Sequence, residues 1–113
     1  MKSQTLKENK DFRRLYHRAD SIASKTLVTY AKKNREKTTR IGITTSKKIG
    51  NAVQRNRSRR VIRAAFSELE PKIVGNWDFV FVARGLTSKV KMQSVLKDME
   101  NHFKALGVID EKD

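Results

Sequence analysis

Apolar positions recur along this chain at two periods, and the places where the period changes outline its elements. Within residues 9–18, Phe12, Leu15 and Tyr16 fall at i, i+3 and i+4, which predicts a helix with one narrow apolar face and Asn9 as its N-cap. Residues 22–33 read as one strand. Its Leu27, Thr29 and Ala31 lie on one face and Val28 and Tyr30 on the other. A polar turn at 34–39 leads to a second strand at 40–46, with Ile41, Ile43 and Thr45 on one face. Gly50-Asn51 stops the extended chain, and Gln54 stands three residues after Asn51 as in a capping box. A helix is expected from there to about Leu69, ahead of Pro71. Residues 77–84, nearly all apolar, predict the most buried strand, with Phe79, Phe81 and Trp77 in the core. After Ser88 a last helix carries Met92, Val95, Leu96, Met99, Phe103 and Leu106 on one stripe and ends at Gly107. The order is α-β-β-α-β-α, an α/β (α+β) two-layer sandwich of one sheet with helices. A chain of 113 residues suits a single domain spanning 1–113.

Composition adds a partner to this outline. Lys and Arg number 26 against 12 Asp and Glu, a formal net charge of +14. A small folded chain repels itself at that charge, and the usual reason to carry it is a polyanion. Charge alone also admits a membrane surface or an acidic protein. The chain has no cysteine, so it holds neither disulfides nor thiolate metal sites and fits a reducing compartment. The opening MKSQTLKENKDF has no apolar signal region, and no apolar run approaches the ~20 residues of a membrane span. The expected location is the cytoplasm.

The charge is concentrated. Residues 37–67 contain nine Lys or Arg and no acid, most densely in Gln-Arg-Asn-Arg-Ser-Arg-Arg-Val-Ile-Arg. On a helical wheel Ser58, Val61, Ile62, Ala65, Phe66 and Leu69 gather on one side. Asn56, Arg59, Arg60 and Arg63 gather on the other, flanked by Arg55 and Arg57. Ordinary solvated faces interleave Glu with Lys. An acid-free row of guanidiniums matches phosphates, whose oxygens Arg binds bidentately. Nearby, Phe12, Tyr16 and Tyr30 fit either packing of the first helix on the sheet or a surface on which unpaired bases stack. His17 and His102 read as isolated residues on polar helix faces, without a second ligand at metal spacing. Ser46-Lys47-Lys48 lacks the orienting partner and oxyanion site of a hydrolase, so the sequence offers no catalytic constellation of its own.

The run from Ser46 to Arg63, Ser-Lys-Lys-Ile-Gly-Asn-Ala-Val-Gln-Arg-Asn-Arg-Ser-Arg-Arg-Val-Ile-Arg, resembles the signature of the bacterial ribonuclease P protein family: a Lys-Lys-x-Gly-x-Ala turn entering an Arg-Asn-Arg helix. Leu6, Asp11-Phe12, Tyr30 and Val82-Ala83-Arg84 extend the likeness over most of the chain. Ser58 departs from it, since the residue after Arg57 is usually aliphatic in the family, which bears on the packing of the helix and not on its outward arginines. The resemblance implies a fold like domain 2 of ribosomal protein S5, with a left-handed β-α-β crossover in place of the usual right-handed one. It implies a ribonucleoprotein endonuclease that removes the 5′ leader of precursor tRNA, with catalytic groups and magnesium held mainly by the RNA subunit and no metal held by the protein alone. Arg55, Arg57, Arg59, Arg60 and Arg63 would then face the RNA subunit. Phe12, Tyr16, Tyr30, Lys47, Lys48 and Asn56 would form the cleft for the leader, with an RNA-shared magnesium ion near Asn56. Partners would be ribonuclease P RNA and precursor tRNA, and neither a membrane nor DNA. A ribosomal or RNA-chaperone module would share the charge without the cleft. A major-groove reader of DNA would need a short helix and turn ahead of the basic helix.

Overall fold

The structure is a computed structural model and describes residues 2–110. One five-stranded sheet carries helices on both faces. Strands β1 (Gln4–Thr5), β2 (Asp20–Ala23), β3 (Leu27–Lys33), β4 (Arg40–Thr44) and β5 (Trp77–Ala83) lie in the order β1-β4-β5-β3-β2. Helix α1 (Asn9–Arg18) precedes β2, α2 (Ala52–Leu69) joins β4 to β5, and α3 (Met92–Ala105) follows β5. The pairs β1–β4 and β4–β5 are parallel, whereas β5–β3 and β3–β2 are antiparallel.

The pleat of the three central strands sorts their side chains between two clusters. Phe79, Phe81 and Ala83 of β5, Leu27 and Ala31 of β3 and Ile41 of β4 face α2 and α3. There they meet Val61, Ile62, Ala65, Phe66 and Leu69 of α2 and Val95, Met99 and Phe103 of α3. Phe66 sits at the centre, within ring-packing distance of Phe79, Phe81 and Phe103. The phenylalanines expected in the core are all fully buried, and half-buried Trp77 stacks on Phe79. On the opposite face Leu15 of α1 packs with Leu6 and Val80 under a rim of Phe12, Tyr30 and Val82.

Helix α2 starts as its sequence dictates. Asn51 Oδ1 accepts from the Gln54 N–H at 2.9 Å, and Gln54 Oε1 accepts from the Asn51 N–H at 3.0 Å. Gly50 makes the box possible. Its φ is +137°, and a Cβ there would lie 1.8 Å from Gln54 Oε1. Ser58 is fully buried, and its hydroxyl donates to the Gln54 carbonyl one turn back at 3.0 Å, which satisfies a polar residue on the apolar side of the helix.

Four expectations are corrected. Glu8, with extended φ and ψ, is the residue that caps α1, without a side-chain hydrogen bond, while Asn9 is already helical. The single strand expected over 22–33 is a hairpin, broken where Ser24 N–H donates to the Leu27 carbonyl. The turn holds its conformation through α3: Thr26 donates its hydroxyl and its N–H to Asp98. Strand β1 carries no periodicity to find, because two exposed residues are recruited by the edge of β4. Glu70 fastens the chain ahead of it, accepting from the N–H groups of Lys2 and Ser3. Lastly, His102 is buried and not on a polar face. Its Nε2 and Nδ1 lie 2.7 Å and 2.8 Å from the hydroxyls of Ser24 and Thr29, partners that only the folded sheet supplies.

Candidate RNA interface

Two cationic features lie on opposite faces of the sheet. On the first, α1 presents one stripe, Asn9, Phe12, Arg13 and Tyr16, beside Thr44 at the end of β4, and together they line an open groove of about 460 Å³. Phe12 is half-buried and Tyr16 is 40% exposed, so both rings offer apolar surface to the groove. Tyr30 of β3 meets Tyr16 edge-on, with ring centroids 5.0 Å apart. The Phe12 ring comes close to β4 because Gly42 has no side chain there: a Cβ at that position would lie within 2.5 Å of the ring. The groove thus has an aromatic floor and a cationic rim at Arg13. The sequence does not single out Arg13 and Thr44, and it marks Asn9 only as a cap, although Asn9, Phe12, Arg13 and Tyr16 stand at i, i+3, i+4 and i+7.

Lys47 and Lys48 do not line this groove. They stand exposed on a short 3-10 turn, Lys47–Ile49, between the end of β4 and the start of α2. Asn56 lies on the outer side of α2, where its Oδ1 accepts from Arg59 Nη1 at 2.9 Å.

The α2 arginines divide by what holds them. Arg57 turns to the protein, donating Nε to the Ser88 carbonyl at 2.9 Å and Nη2 to the Val90 carbonyl at 3.4 Å, which ties down the loop before α3. Arg59 leans on Asn56. Arg60 and Arg63 are exposed and Arg55 is half-buried. The ion pairs among the described residues are Lys10–Glu8, Arg14–Asp11, Arg40–Asp78 and Lys104–Glu100, so none neutralises an α2 arginine. By contrast Arg40 is structural. It grips the buried Asp78 carboxylate with Nε at 2.9 Å and Nη2 at 2.7 Å, and that hydrogen-bonded pairing, against the opposing effect of burial, holds its guanidinium pKa above the ordinary value.

Comparison with known proteins shows the family of this chain and its overall fold. The family model described as Ribonuclease P matches residues 1–107. The ribonuclease P protein component of Exiguobacterium sibiricum is 39% identical over 108 residues, covering 95% of this chain and 93% of that protein. That of Clostridioides difficile is 38% identical, covering 95% of each. Among solved structures, the Staphylococcus aureus RNase P protein superposes with a TM-score of 0.83 at 32% identity, covering 96% of this chain and 100% of that one. The RNase P protein from Thermotoga maritima gives a TM-score of 0.77 at 25% identity, over 95% and 98%. With the family model matched over residues 1–107 and a relative and a solved structure matched along nearly its whole length, the chain belongs to the ribonuclease P protein family.

Proposed function

We propose that the chain binds the RNA subunit of ribonuclease P through the outward side of α2 and holds the unpaired 5′ leader of precursor tRNA in the groove beside α1. Family membership makes it the protein subunit of this tRNA-processing endoribonuclease. The observation that carries the finer reading is the groove of Phe12, Tyr16 and Arg13, whose exposed rings and flanking cation suit bases and backbone of a single strand. A general RNA-binding module needs the arginines of α2 but no such groove.

In this reading catalysis belongs to the RNA. Phosphodiester hydrolysis commonly uses metal ions held by carboxylates or phosphates. Among the described residues no group of three or more His, Asp or Glu comes together to hold a metal. The surroundings of Asn56 do not by themselves fit magnesium, because its amide oxygen is engaged by Arg59. An ion shared there would take RNA oxygens as its main ligands, which the α2 arginines would bring close by binding phosphates. Lys47 and Lys48, at the junction of β4 and α2, would contribute positive potential to the same strand.

The test combines the protein with a bacterial ribonuclease P RNA at low magnesium and follows leader removal from precursor tRNA. The expected result is faster cutting at a single site than with RNA alone, and no cutting by RNA-free protein at any magnesium concentration. Absence of stimulation would overturn the proposal. So would specific leader removal by RNA-free protein that one carboxylate substitution abolishes.

A further inference from the structure

Helix α1 has a second face that the groove does not use. Lys10, Arg13, Arg14, His17 and Arg18 stand at i, i+3, i+4, i+7 and i+8, the spacing that usually carries an apolar stripe. All five are exposed, and they alone line a shallow surface cavity of about 500 Å³. Like charges at i and i+4, as in Lys10/Arg14 and Arg14/Arg18, weaken an isolated helix. The helix dipole favours His17 and Arg18 in the last turn but disfavours Lys10 in the first, so it does not account for the whole stripe. Glu8 and Asp11 offset only Lys10 and Arg14, at 3.2 Å and 2.9 Å.

We infer that this stripe carries the backbone of the leader beyond the groove, so that α1 binds a single strand on two successive faces. The inference rests on the leader reading above. Its basis is continuity: Arg13 lines both the aromatic groove and the cationic cavity, so a strand leaving the groove over Arg13 runs directly onto the stripe. Inside the groove, rings are available to bases. Outside it, only cations are available to phosphates, the combination that binds single strands without reading their sequence. From Lys10 to Arg18 the helix rises about 12 Å, room for roughly three phosphates at the ~3.4 Å spacing of a stacked strand. The arginines of α2 stand on the other face of the sheet, so the two surfaces can be occupied by different RNA segments at once.

The experiment uses the holoenzyme reconstituted with a bacterial ribonuclease P RNA and two precursor tRNAs, one whose leader ends within the groove and one several nucleotides longer. The tested protein carries Lys10→Gln, Arg14→Gln and Arg18→Gln, leaving Arg13 in place. Unaltered protein should bind the longer leader more tightly. The triple variant should lose that increment while binding the short-leader substrate within about twofold of normal. Its salt dependence on the long leader should flatten by up to about 2 log units per log unit of salt, ~0.7 for each phosphate no longer bound. A variant with Arg14→Lys and Arg18→Lys should preserve the increment, which separates lost charge from a disturbed helix. An unchanged increment overturns the inference, and so does equal weakening for both precursors and for mature tRNA, which would assign the stripe to the RNA subunit or the tRNA body. If Tyr30→Ala still selectively weakens precursor binding in either case, the leader reading stands. If precursor and mature tRNA bind the unaltered protein alike, that reading has failed.

Discussion

The ring of Phe12 rests on Gly42, so closely that a Cβ at residue 42 would come within 2.5 Å of its Cε1 and Cζ. The groove therefore owes its aromatic floor to a missing side chain on β4. Gly42→Ala should lift or tilt the ring, at a cost of about 1–3 kcal/mol as in other overpacked sites. The expected result is a lower melting temperature together with weaker discrimination of precursor from mature tRNA. Adding Phe12→Leu to the alanine variant should restore the melting temperature but not the discrimination. A melting temperature unchanged by Gly42→Ala would show that the ring moves freely.

Tyr16 and Tyr30 meet edge to face, and the pair leaves Tyr16 open to solvent. Removal of an aromatic that stacks on a base weakens single-strand binding by about 1–3 kcal/mol. Tyr16→Ala should thus weaken precursor tRNA binding roughly tenfold or more and hardly change mature tRNA binding. Equal losses on both substrates would point to damaged packing of α1 on the sheet.

The arginines of α2 should separate into two classes. Arg60→Ala and Arg63→Ala remove exposed side chains that make no hydrogen bond or ion pair among the described residues, so stability should stay within about 0.5 kcal/mol. Each should flatten the salt dependence of RNA binding by about 0.7–0.9 if it contacts a phosphate. Arg57→Ala frees the carbonyls of Ser88 and Val90, and a loss of about 1 kcal/mol is expected. Hydrogen exchange in residues 84–91 should rise in that variant alone.

His102 makes the fold sensitive to mild acid. Burial lowers its pKa below the usual 6.5, an effect that the nearby Asp98 carboxylate only partly opposes. Below about pH 6.5 the unfolded chain takes up a proton that the folded chain resists. Stability contributed by neutral His102 is therefore complete above that pH and declines as pH falls toward the folded value, by at most about 1.4 kcal/mol per pH unit. Urea midpoints compared at pH 7.5 and 5.5 should show this decline, and His102→Gln should reduce it. An identical pH dependence in both proteins would exclude His102 as its source.

By itself the sequence determined the three helices, the three central strands, the α2 capping box and the basic face of α2. Each is a local property: Asn51 and Gln54 are three residues apart, and the arginines share one side of a helix whose other side is apolar. The match of the Ser46 to Arg63 run to a known family likewise needed no structure. Tertiary structure alone decided the rest. It recruited Gln4–Thr5 to the edge of β4, divided residues 22–33 into a hairpin fastened by Asp98 and His102, and buried His102 between hydroxyls from 73 and 78 residues away. It also made the groove, by setting Phe12 over Gly42 and Tyr16 against Tyr30, and it drew Arg57 to the loop before α3. The division has a physical cause. Helix periodicity and caps arise between residues three or four apart, which the sequence displays side by side. Strand pairing, the burial of a polar ring and the walls of a groove arise between residues brought together only when the sheet closes.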